Sequence, residues 1–119
     1  MLKGIIFTAF CLMLAGCVDL GAVGSNPSVK QVYFNADSHD TYLCLDDEAT
    51  RNNLTLEEDT QLPSGERKFY LKDQSETLAW VDMSSTNNSS TVDIFYNKED
   101  VDLVNKVDKI IENCHNALD

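Results

Sequence analysis

Four cysteines, at positions 11, 17, 44 and 114, and two histidines, His39 and His115, are the residues of this 119-residue chain best equipped for chemistry. A thiol pairs with another thiol, carries a covalent group or ligates a metal. Cys44, Cys114, His39 and His115 have the composition of a Cys₂His₂ zinc site, but neither the close cysteine pair nor the close histidine pair of such sites is present. His39 lies beside Asp37 and Asp40 and reads as a surface or capping residue. His115 falls near the end of a predicted helix, where a cation meets the helix dipole favourably. Carboxylates come in two runs, Asp46-Asp47-Glu48 and Glu57-Glu58-Asp59. Adjacent acids diverge on a helix or a strand, so neither run makes a glycosidase pair at fixed separation. Neither has the glycine and spacing of a calcium loop. Nucleophile-elbow, P-loop and zinc-protease motifs are absent. The sequence therefore predicts no catalytic residue, no metal site and no cofactor, and the expectation is a non-enzymatic protein.

The first seventeen residues have a definite anatomy. Lys3 gives a charged start, Gly4–Leu14 is an apolar run, and the small residues Ala15 and Gly16 precede Cys17. This is the layout of a secretory signal. The apolar run is about eleven residues, and a spanning helix needs roughly 20. Leu14-Ala15-Gly16-Cys17 resembles the lipobox of bacterial lipoproteins. That resemblance implies cleavage between Gly16 and Cys17, lipidation of the Cys17 thiol and acylation of its new amino group. The protein would then be held to a membrane by its lipid, facing the periplasm. One acyl chain anchors only marginally, whereas two or more anchor stably, at about 0.8 kcal/mol per buried CH₂. In this family the residues after the cysteine direct sorting. An aspartate directly after it favours the inner membrane in enteric bacteria, and here that place holds Val18, followed by Asp19, so the outer membrane is favoured.

On the same resemblance, Cys11 leaves with the leader and Cys17 is occupied. Cys44 and Cys114 then remain in an oxidising compartment and are expected to form a disulfide. Removing residues 1–16 leaves 103, enough for one domain with a modest core. Lys3 is the only charge lost, so the net charge goes from −11 to −12. Such a balance disfavours nucleic acid and anionic lipid, keeps the domain soluble and attracts basic proteins.

Residues 17–28, rich in Gly, Ser and Pro, read as a lipidated cysteine and flexible tether, and residues 29–119 as a small α+β envelope domain. Residues 29–34 suit a short strand with Val32 and Phe34 facing one way and Tyr33 the other. Residues 40–52 fit either a helix, with Tyr42, Leu45 and Ala49 on one stripe and Ser38 or Asp40 as cap, or a short strand over Tyr42–Leu45. The acidic run that follows favours the helix. Residues 54–62 suit an edge strand or a loop, and Pro63-Ser64-Gly65 a turn. Three alternating runs, 67–72, 77–83 and 91–96, form a β-meander, with Asp73–Glu76 turning the chain and Ser84–Ser90 as a polar loop. Trp80, Tyr70 and Phe95 are the aromatic candidates for an interface, though core positions are the default for such residues. A closing helix capped by Asn97 places Val101, Val104, Val107, Ile111 and Cys114 on one stripe, widened by Leu103 and Ile110. The predicted architecture is thus α+β: a small antiparallel three-stranded meander packed by two helices and stapled by one disulfide.

This order of elements, with its two cysteines, resembles small proteobacterial lipoproteins of unassigned function. It implies an anchored structural, accessory or protein-binding module with an envelope protein as partner. A second resemblance rests on Thr41-Tyr42-Leu43-Cys44, Ser64-Gly65 and the late cysteine, as in the membrane-bound lysozyme inhibitors. It implies inhibition of a basic periplasmic enzyme. That family is an all-β barrel, whereas residues 98–115 here are predicted to be helical.

Overall fold

A computed structural model describes Val23, Gly24, residues 26–59 and residues 66–119. The expected leader, lipobox with Gly16 and Cys17, most of the expected tether and the expected turn at Pro63-Ser64-Gly65 lie outside the described residues. The elements run β1 (Ser28–Phe34), α1 (Ser38–Arg51), β2 (Thr55–Glu58), β3 (Arg67–Asp73), β4 (Glu76–Ser85), β5 (Ser90–Tyr96) and α2 (Val101–Leu118). The five strands form one antiparallel sheet in the order β1-β5-β4-β3-β2. Both helices pack on one face of it.

The class, the two helices and the disulfide agree with the sequence reading, but the three-stranded meander understates the sheet. The meander β3-β4-β5 is its centre, and β1 and β2 extend it on either side. Edge strands need few buried residues, because little covers them. β2 buries only Leu56, and β1 buries only Val32 and Phe34. β1 also pairs with the most distant strand in sequence, β5, in a register running from Ser28↔Tyr96 to Phe34↔Ser90.

The core lies between sheet and helices. Val32, Phe34, Leu56, Phe69, Leu71, Ala79, Val81, Met83, Val92 and Ile94 point from the strands to the helices. Leu45 and Ala49 of α1 and Leu103, Val107, Ile110, Ile111 and Cys114 of α2 meet them. A bulge opposite Leu71 and Lys72 breaks the alternation of β4, leaving Leu78 without a cross-strand partner and partly packed on the core. Two buried hydroxyls share one acceptor: Ser90 Oγ donates to the Ala36 carbonyl at 2.8 Å and Thr41 Oγ1 to the same oxygen at 3.3 Å. They fix the entry of α1 against the start of β5.

Helix ends depart from the sequence reading by a few residues. Asp37, not Ser38 or Asp40, caps α1, accepting from the Asp40 N–H at 2.8 Å. Asn97 accepts from the Glu99 N–H in a local turn, and Asp100 takes the cap of α2 by accepting from the Leu103 N–H. Val101 is the first helical residue and is 67% exposed, and the buried stripe is Leu103, Val107, Ile110, Ile111 and Cys114.

α1 ends in a Schellman arrangement. The Leu54 N–H donates to the Ala49 carbonyl and the Asn53 N–H to the Thr50 carbonyl, with Asn53 at φ 62°. Buried Leu54 supplies the accompanying apolar contact. A β-branched residue at a left-handed position costs roughly 1–2 kcal/mol. Asn53→Val is therefore expected to lower unfolding stability by about that amount, and Asn53→Gly to leave it unchanged or slightly raised, in urea titrations.

Candidate functional site

The helices cover one face of the sheet, and alternation fills the other with a different set of side chains. Cross-strand register aligns Glu57, Tyr70, Trp80, Phe95 and Val29 in one row across β2, β3, β4, β5 and β1. Neighbouring strands are about 4.8 Å apart, so the three rings make a continuous aromatic strip. Each is partly buried, and none belongs to the core. This corrects the default placement of Tyr70, Trp80 and Phe95 in the interior. The core aromatics are Phe34 and Phe69.

The strip floors a groove of about 990 Å³ whose walls include Pro27, Glu57, Lys68, Lys72 and Asp82. Its charges are largely matched within the sheet. Lys72 pairs with Glu57 at 3.0 Å and Lys68 approaches Asp82 at 4.0 Å. Tyr70 Oη donates to Asp59 at 2.9 Å.

The next row is less comfortable. Asp82 stands directly opposite Asp93, and like charges opposed across strands destabilise a sheet. One oxygen of each carboxylate is buried without a hydrogen-bond donor. Burial, together with the charges of Asp93 and Glu66, pushes the Asp82 pKa up, against the opposing pull of Lys68. The native chain therefore holds this proton more tightly than the unfolded chain. Stability falls as pH rises from the ordinary value of 3.8 through the raised one. Asp82→Asn should melt higher than the parent at pH 7, with the gain vanishing in acid. Equal melting shifts at neutral and acid pH would refute the linkage.

Glu58 behaves oppositely. Arg67 donates to it twice, at 2.7 Å each, and holds its carboxyl below the usual value. Arg67 also donates to Ser38 and lies over the rings of Tyr42 and Phe69 at 4.8 and 5.1 Å, fastening β2 and β3 to α1.

The remaining predicted site residues fall in separate places. Cys44 and Cys114 are joined, with Cα atoms 5.9 Å apart, tying α1 to α2. His39 is exposed at the start of α1. His115 sits near the end of α2, bonded to Asp119 at 2.6 Å and with its ring 4.7 Å from Phe34. No group of three His, Cys, Asp or Glu among the described residues is placed to hold a metal ion.

The acidic run on α1 is not uniformly solvated. Glu48 is 7% exposed and accepts from Asn113 Nδ2 at 2.6 Å, a second link between the helices one turn beyond Cys44. Sequence inspection missed it. The available signal was spacing, since Glu48 follows Leu45 by three residues and Cys44 by four. A void of about 20 Å³ between Leu45, Leu56, Leu71, Val81, Ile94 and Val107 is apolar and too small for a ligand. Comparison with protein-family models, with curated proteins and with solved structures found no match for this chain.

Proposed function

We propose that this chain is a lipid-anchored lipoprotein of the cell envelope, held by Cys17 at the outer membrane, and that its domain is a non-enzymatic module that binds a protein partner. The aromatic strip of Tyr70, Trp80 and Phe95 on the sheet face without helices carries the second half of this reading. Rings of this kind supply the anchors of protein interfaces, with a polar rim around them. Here Glu57, Lys68, Lys72 and Asp82 provide the rim. The leader and Leu14-Ala15-Gly16-Cys17 support the anchor. Among the described residues no helix is long and apolar enough to cross a membrane.

Crosslinking in intact cells, followed by capture of the tagged chain from membranes, tests both halves. The parent, Cys17→Ala and Trp80→Ala are compared. The expected result is one dominant envelope partner that is captured by the parent and lost with Trp80→Ala. Cys17→Ala should move the chain out of the membrane fraction. Membrane retention of Cys17→Ala would overturn the anchor. Unchanged capture by Trp80→Ala would overturn the binding face. A basic hydrolase captured equally by all three forms would replace this reading with enzyme inhibition.

A further inference from the structure

The two edges of the sheet are built differently. β2 is four residues long and carries Glu57 and Glu58, and short, charged edges resist pairing with other chains. β1 at the opposite edge is seven residues long, and among the described residues no strand pairs with its outer side. Its one charge, Lys30, points to the helix side and is bound by Asp108. In a chain with 20 acidic residues, none falls in β1. It is the long strand edge least subject to the repulsion that separates copies of so acidic a protein.

The sequence of β1 is also complementary to itself. Its midpoint is Gln31, and Pro27, without an N–H, bounds one end. Val29 and Tyr33, two residues to either side of Gln31, are 56% and 65% exposed and lie on the face opposite the helices. An antiparallel pair of β1 strands with a two-fold axis at Gln31 uses all seven residues. It sets Val29 against Tyr33 of the second copy, twice, in the aromatic-to-β-branched pairing that sheets favour. It sets Gln31 against Gln31, where two amides hydrogen-bond each other. Lys30 then faces Val32 rather than another lysine.

We infer that this protein forms a symmetric dimer through β1, with Gln31 on the two-fold axis, giving one continuous ten-stranded sheet. Tyr33 of the second copy then extends the row Tyr70–Trp80–Phe95–Val29, so the dimer enlarges the aromatic face. The dimer stands whether or not that face binds another protein.

The test uses the full chain with Cys11→Ala and Cys17→Ala, so that an introduced cysteine is the one unpaired thiol. Directly opposed Cα atoms lie about 4.5–5.5 Å apart, within disulfide reach. Gln31→Cys should crosslink to itself under mild oxidation. Val29→Cys alone and Tyr33→Cys alone should not, because each lies four residues, roughly 13 Å, from its own copy. Mixing these two chains should restore a crosslink. Thr55→Cys, on the β2 edge, should give none. In sedimentation of the chain without an introduced thiol, Gln31→Lys should weaken dimerisation by at least about tenfold, by placing like charges together on the axis. Melted at a concentration where the parent is monomeric, it should be no less stable, because the new cation faces Asp93 of β5 within the same copy. Crosslinking of Val29→Cys or Thr55→Cys as strong as that of Gln31→Cys would overturn the proposal. So would sedimentation of the parent as a monomer at all concentrations reached.

Discussion

Replacing both Cys44 and Cys114 with alanine should lower the melting temperature by roughly 15–30 °C. The bond joins residues 70 apart in sequence. Closing a loop of that length in the unfolded chain is worth about 4 kcal/mol in the chain-entropy account. A domain of about 100 residues loses some 4–8 °C per kcal/mol. Total stabilities of small domains run about 5–15 kcal/mol, so this bond is a large share. Thermal melts followed by circular dichroism check it, with the reduced parent as a second measure. The reduced parent and the double variant should coincide. A loss below about 5 °C would mean that helix packing by Leu103, Val107 and Ile110 holds α2 without covalent help.

The second large effect is expected at Phe69. It is fully buried at the centre of β3, its ring stacks on Tyr42 of α1 with centroids 5.5 Å apart, and the Arg67 guanidinium covers both rings. Phe69→Ala removes the transfer free energy of a whole ring and leaves a cavity, a loss of about 3–5 kcal/mol. It should appear as a lower urea midpoint with the slope preserved. Tyr70→Ala, one residue on and on the other face, removes a ring of similar size that the core does not hold. It should cost much less. Similar losses at the two positions would mean that both faces of the sheet are packed alike.

That contrast marks the limit of what sequence inspection resolves. Alternation in β4 separates Trp80 from Ala79, Val81 and Met83 cleanly, but it does not say which set lies inside. The helices decide: α1 and α2 bring their own bulk, so the inner positions of β4 take residues as small as Ala79. The default for large rings therefore failed at Trp80 and Phe95, and it failed where a candidate binding face resulted. The stripe of α2 was legible because Val107, Ile111 and Cys114 recur at helical spacing; where the helix starts was not. Asn97 and Asp100 are both good caps, and only the fold selects Asp100. Residues 29–34 read as a strand and residues 54–62 as an edge strand or a loop, but neither reading supplies a partner strand. Pairing of Val32 with Val92 depends on closure across 60 residues, which no local pattern encodes. The proposed lipobox is the opposite case. That proposal rests on four consecutive residues, Leu14-Ala15-Gly16-Cys17, and on no feature of the fold.

The covalent loop closed by Cys44 and Cys114 contains β2 through β5 and leaves β1 outside. Mechanically, this divides the domain into a spool and a leader line. Tension applied at the amino end enters at Ser28 and loads the pairing of β1 with β5 and then the first turns of α1. With the far grip at Asp119, the segments from Ser28 to Leu43 and from His115 to Asp119 are free to pay out before the load meets a sulfur–sulfur bond. At about 3.4 Å per residue, the two segments together make roughly 70 Å of extended chain. Pulling the oxidised chain by its amino end, with the surface attachment at Asp119, should therefore give a short extension and then a hard stop. Reduction should release the rest of the sheet. A protein tethered at its amino end would thus yield by a fixed length under load and keep its central strands folded.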